Sequence, residues 1–129
     1  MKDLVLQAEK AMENAYAPYS GFRVGAALLT KSGKVFLGCN IENASFSPTI
    51  CAERTAVAKA VSEGEREFAA LAVVGGKDGM ITGICPPCGV CRQVLSEFCE
   101  PDLPVYLGKG GGDYETVQLK DLLPLSFSL

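Results

Sequence analysis

Residues 68–76 read FAALAVVGG, a run without a charged side chain. A strand open to water on one face alternates apolar and polar residues, so a run this uniform fits a strand covered on both faces. The flanking sequence supplies helices to cover it. Upstream, the segment from about Cys51 to about Gly64 is rich in good helix formers, with Ala52, Ala56, Ala58 and Ala60. Downstream, in CPPCGVCRQVLSEFC (85–99), the prolines stop regular structure before another helix starts near Cys88.

Further out, residues 2–17 place Leu4, Ala8, Ala11, Met12 and Ala15 at helical spacing, and APYSG (17–21) breaks that helix. FRVGAALLT (22–30) and VFLGCNIE (35–42) read as strands joined by a KSGK turn, with NASFSPT (43–49) a polar loop behind them. LPVYLGK (103–109) and YETVQL (114–119) read as two more strands, and LKDLLP (119–124) as a last helical turn. Helix, strand, strand, helix, strand, helix, strand, strand, short helix is the order of an α/β layered domain with a mixed sheet. No repeat or low-complexity linker divides residues 1–129, which read as a single domain. GKGGGD (108–113) lacks the Lys-Ser/Thr ending of a phosphate loop and precedes a strand, so it reads as a flexible hairpin loop.

A chain of 129 residues with 48% hydrophobic and 21% charged residues can build a core without staples. Its net charge of −3 argues against a nucleic-acid partner, whose binding is driven by clustered Lys and Arg. The run at 68–76 is far too short to cross a bilayer, and the charged start MKDLVLQAEKAMENAY has no signal-peptide core. The expected location is the cytoplasm, with no membrane partner. There the six cysteines (39, 51, 85, 88, 91 and 99) favour metal binding or catalysis over disulfides. Histidine is absent, so proton transfer near neutral pH falls to carboxylates, thiols or a lysine.

Cys88 and Cys91 stand three residues apart at a helix start, so both thiols project from one face toward one ion. Cys51 holds a comparable place on the preceding helix. Should the two helix starts lie side by side, three thiolates converge on one metal, and a tetrahedral ion keeps one position open for water. Three thiolates on a dication leave a net negative charge, which Arg54 and the two helix N-termini can offset. Glu53, two residues after Cys51, is placed to take a proton from the water and hand it to a substrate. The pattern Cys-x-Glu … Pro-Cys-x-x-Cys is far more specific than its parts. Taken singly, the Cys-x-x-Cys could be a redox motif or chance, and a lone glutamate at the place of Glu53 is more often a solvated charge at a helix start than a catalyst. Cys85 or Cys99 could complete a closed, structural four-cysteine site, but neither shares the helical face well. The better reading for these two and for Cys39 is a buried spectator thiol.

These residues resemble the cytidine deaminases, whose zinc signature includes a variant with three cysteine ligands. APYSGFRVGAALL, GCNIENASFSPTICAERTAV, PPCGVCRQVLSEF and LLPLSF look like segments of the small, homotetrameric, nucleoside-specific branch, and the resemblance covers nearly the whole chain. It implies a three-layer αβα sandwich around a five-stranded mixed sheet. It also implies one zinc ion (Zn2+) per subunit on Cys51, Cys88 and Cys91, with Glu53 as proton shuttle and Arg54 as charge compensator. Asn40 and Glu42, in NIENA with Ala44, resemble the segment that contacts the sugar, the first two bonding its 3′-hydroxyl. Phe22 resembles the aromatic that packs on the pyrimidine, and Ala52 the residue whose backbone helps hold the base. Phe127 resembles a C-terminal aromatic that enters a neighbour's active site. Phe46 is a departure, standing where many relatives carry a tyrosine that reaches toward the sugar of an adjacent subunit.

The activity implied is hydrolytic deamination of cytidine and 2′-deoxycytidine to the uridine counterparts plus ammonia, by zinc-bound hydroxide, in pyrimidine salvage. The nearest rival keeps the chemistry and changes the substrate to a cytosine-bearing antibiotic such as blasticidin S, or to cytosine in a polynucleotide. A non-enzymatic zinc module would need a fourth protein ligand, and a thiol–disulfide oxidoreductase would have no need of Glu53.

Overall fold

The computed structural model describes residues 1–129. Its elements are α1 (Lys2–Met12), β1 (Phe22–Thr30), β2 (Val35–Cys39), α2 (Ala52–Ser62), β3 (Phe68–Lys77), α3 (Gly89–Phe98), β4 (Pro104–Gly110), β5 (Asp113–Gln118) and α4 (Leu119–Leu122). The strands form one five-stranded sheet in the order β2-β1-β3-β4-β5. β3 pairs with β1 antiparallel and with β4 parallel, while β1/β2 and β4/β5 are antiparallel hairpins. The glycine-rich segment closes the second hairpin, where the Gly112 N–H donates to Glu9.

β3 sits at the centre, covered on both faces as its composition predicts. Ala70, Ala72 and Val74 pack with Leu4, Val5, Ala8 and Met12 of α1. Leu71 and Val73 point the other way, into a core with Ala52, Ala56, Val57 and Ala60 of α2 and Leu95 of α3. This alternation, with α1 on one face and α2 and α3 on the other, gives the expected three-layer αβα sandwich.

The first helix ends at Met12, not at residue 17. Beyond it the backbone serves another pairing: the Tyr16 N–H donates to the Asn40 carbonyl at 2.9 Å, and the Glu42 N–H to the Tyr16 carbonyl at 2.8 Å. The second strand stops at Cys39 for a related reason. The Asn40 carboxamide reaches across to the backbone of β1, its Nδ2 donating to the Phe22 carbonyl at 2.8 Å and its Oδ1 accepting from the Val24 N–H at 2.9 Å. Helix α2 is seated directly on β2 at Gly38, where any side chain would collide with the Ala52 carbonyl and the Ala56 nitrogen. That close approach fixes the height of the first turn of α2 over the sheet. No helix is long and apolar enough to cross a membrane.

Candidate functional site

Helix α2 follows β2 and helix α3 follows β3, and the two helices lie side by side on one face of the sheet with their first turns adjacent. Cys51 and Cys88 take the same role at the two starts: each is the N-cap, in extended conformation, and neither helix has a side-chain cap. Each helix begins at the residue after its cysteine, in agreement with starts expected around Cys51 and near Cys88. Cys91 then falls in the first turn of α3, fully buried. The Sγ atoms of Cys51 and Cys88 are 3.8 Å apart, those of Cys88 and Cys91 3.6 Å, and all three lie within 4.8 Å of one another. Thiolates about 2.3 Å from a tetrahedral zinc ion stand about 3.8 Å apart, so the three sulfurs fit zinc. Cys85, Cys99 and Cys39 are outside this cluster, which is therefore a three-sulfur site.

The groups around Cys51 favour its thiolate. In the protein chain itself, Cys51 is held down at about 5, first by a hydrogen bond from Cys91 and then by Arg54 against the opposing effect of burial. Cys91, as donor in that pair and buried, is pushed up. Arg54 donates from Nη2 to Cys51 Sγ at 3.4 Å, and this bond raises its own already high value. Glu53 projects from the same first turn but is 4% exposed. Burial, followed by the negative charge of Cys51, pushes its carboxyl up to about 7. A carboxyl tuned to that range exchanges protons readily at neutral pH.

A cavity of about 270 Å³ opens beside the sulfurs, lined by Cys51, Cys88 and Glu53 together with Ser20, Phe22, Val24, Asn40 and Glu42. A family model described as the cytidine and deoxycytidylate deaminase zinc-binding region matches residues 1–107. The chain belongs to this family. It is 52% identical over 128 residues to the cytidine deaminase of Sporosarcina psychrophila, covering 99% of this chain and 91% of the relative. A crystal structure of cytidine deaminase from Burkholderia pseudomallei matches with a TM-score of 0.88 at 51% identity, covering 97% of both chains. That from Mycobacterium tuberculosis matches with a TM-score of 0.81 at 41% identity, covering 98% of this chain and 96% of the other.

Within this deaminase fold the residues singled out from the sequence divide into groups. Phe22, Asn40, Glu42, Cys51, Glu53 and Cys88 line one cavity, and Cys91 completes the sulfur cluster behind it. Ala52 is fully buried between Cys51 and Glu53. Phe46 lies in the neighbouring loop with a φ of 63°, 73% exposed, its ring edge-on to Tyr19. It lines a second hollow that shares Ser20, Glu42 and Thr49 with the first, and Ala44 is exposed in the same loop. Phe127 lies elsewhere, in a groove formed by the C-terminal segment with Ser96, Cys99 and Leu119.

Two contributors escaped the sequence reading. Cys85, expected as a buried spectator, is half-buried and lines the cavity. Gly75 makes room for it: a Cβ there would stand 2.8 Å from Cys85 Sγ and 3.0 Å from the Phe22 ring. Burial, then the charges of Glu53 and Cys51, push the Cys85 thiol up to about 11, and its sulfur lies outside the three-sulfur cluster. Ser20 read only as part of the break after the first helix, yet its hydroxyl bonds Glu42 directly. That bond, with the N–H groups of Ser20 and Tyr19, holds Glu42 below the usual carboxylate range. The one signal available in the sequence was its position beside Gly21, in the turn before β1.

Proposed function

We propose that this chain catalyses hydrolytic deamination of cytidine and 2′-deoxycytidine to uridine and 2′-deoxyuridine, releasing ammonia. The observation that carries the reading is a buried carboxyl, Glu53, set beside a three-sulfur cluster in a cavity also lined by the polar residues Ser20, Asn40 and Glu42. A zinc ion held by Cys51, Cys88 and Cys91 supplies a Lewis acid that makes water nucleophilic near neutral pH. Water adds at C4 of the pyrimidine and the amino group leaves as ammonia, so two proton transfers are needed. Glu53 takes one proton from the attacking water and delivers it to N3, then takes the second from the resulting C4 hydroxyl and delivers it to the departing nitrogen, ending ionised as it began. Arg54 offsets the excess negative charge of the thiolates. Phe22 packs on the base, the backbone at Ala52 holds it, and Asn40 and Glu42 take the sugar hydroxyl, with Ala44 and Phe46 in the adjoining loop. A base that cannot pair with the buried Glu53 leaves that carboxyl unsatisfied, which is the source of specificity.

The acting form in this reading is a homotetramer in which Phe127 of one subunit completes a neighbour's site; its 66% exposure and its place in a groove separate from its own cavity support that role. Placement in cytoplasmic pyrimidine salvage rests on the family resemblance. Following the ultraviolet conversion of cytidine to uridine tests the reaction. The expected result is conversion by the wild type and, for Glu53→Gln, retained zinc with turnover lower by several orders of magnitude. Near-normal turnover by Glu53→Gln overturns the shuttle, and no conversion by the zinc-loaded wild type overturns the substrate.

A further inference from the structure

Glu42 does not stand free at the sugar end of the cavity. Its Oε1 accepts from the Tyr19 N–H at 2.9 Å and from the Ser20 N–H at 3.1 Å, and its Oε2 accepts from the Ser20 hydroxyl. The same hydroxyl accepts from the Phe22 N–H at 3.0 Å. The loop bearing these donors is tied to the end of β3, where Lys77 Nζ donates to the Ser20 carbonyl at 2.5 Å and the Asp78 N–H to the Gly21 carbonyl at 2.7 Å. Gly21 makes the bend with a φ of 69°.

A carboxylate offers about four lone-pair positions, and this one has three in use. One acceptor position remains, with its direction set by the other three. We infer that Ser20 is a positioning residue for nucleoside recognition: it holds Glu42 so that the carboxylate presents a single acceptor to one sugar hydroxyl, and locks that contact to the start of β1 where Phe22 meets the base. The inference rests on the proposed sugar contact of Glu42 and adds a residue and a selectivity to it. Without the Ser20 hydroxyl, Oε2 gains a free position and the side chain loses the bond that fixes its rotation. Affinity for the sugar then falls, while Glu53 and the sulfur cluster at the other end stay as they are.

Steady-state kinetics on the zinc-loaded protein with cytidine and 3′-deoxycytidine test this for the wild type, Ser20→Ala and Ser20→Thr. The expected result is that Ser20→Ala raises KM for cytidine about tenfold, the scale of one hydrogen bond to a charged group. Its kcat stays within about twofold, because the lost interaction is equally present in ground and transition states. KM for 3′-deoxycytidine, which has no 3′-hydroxyl to present, is unchanged by Ser20→Ala. Ser20→Thr keeps the hydroxyl and restores the wild-type KM. A Ser20→Ala variant that loses kcat, or that weakens both nucleosides equally, overturns the proposal in favour of general loop packing. Equal KM values for the two nucleosides in the wild type overturn the sugar assignment of Glu42, and the proposal falls with it.

Discussion

Arg54 lies one turn along α2 from Cys51 and donates from Nη2 to its sulfur across 3.4 Å, while its own Nε is buried without a partner. A guanidinium left incompletely bonded in this way is held mainly by the negative charge it faces. Replacing it with Gln should leave one zinc per chain, by metal analysis, and lower kcat at least about tenfold, or ~1.4 kcal/mol in the barrier. Arg54→Lys should recover only part of the loss, because an ammonium cannot reproduce the planar fork. Wild-type kcat in Arg54→Gln would remove charge compensation from the account.

Metal content separates the sulfurs. Cys88→Ser should lose zinc together with activity, whereas Cys85→Ala should keep one zinc per chain and alter KM, since its thiol lines the cavity outside the cluster. Chelator treatment should abolish activity and lower Tm, and zinc should restore both. A thiol–disulfide oxidoreductase would ignore the chelator, and a closed structural site would lose its metal with Cys85→Ala.

Phe127 and Glu53 occupy separate hollows of one chain. A site completed by a neighbour's tail predicts complementation. Chains lacking residues 125–129 and Glu53→Gln chains, each poorly active alone, should recover activity when unfolded and refolded together. Mixtures no more active than the sum of their parts would make each chain self-sufficient.

Cys99 packs against the core beside α3, and burial, reinforced by Glu100, pushes its thiol up to about 12 from an ordinary 9.0. Between those values the unfolded chain has lost the proton and the folded chain still holds it. The contribution to stability is therefore complete below about pH 9 and is lost as pH rises toward 12. In urea unfolding, the wild type minus Cys99→Val difference should fall by about 1.4 kcal/mol per pH unit across the upper part of that window. A difference independent of pH would mean that the thiol titrates normally.

The parts legible in the sequence are those governed by local spacing. The uniform run at 68–76 announces a strand covered on both faces, and the residue pattern at 51–54 and 88–91 places two helix starts and a ligand set. What escaped depends on contacts between distant segments. The first helix yields at Met12 because Tyr16 finds a backbone partner at Asn40, which no helix propensity records. The carboxamide of Asn40 is engaged with the backbone of Phe22 and Val24, 18 and 16 residues away. Cys85 has no helical phase with Cys88, yet the loop curls it over Gly75 and into the cavity.

Cys51 and Cys88 are 37 residues apart, and the chain between them contains β3, the strand on which both layers of helices rest. An ion gripping both sulfurs works as a clasp around the middle of the sheet. Cys88 and Cys91 are close along the chain in any state, but Cys51 joins them only when α2, β3 and α3 have docked. Metal binding and folding are thereby linked, so zinc removal lowers the stability of the chain along with its turnover.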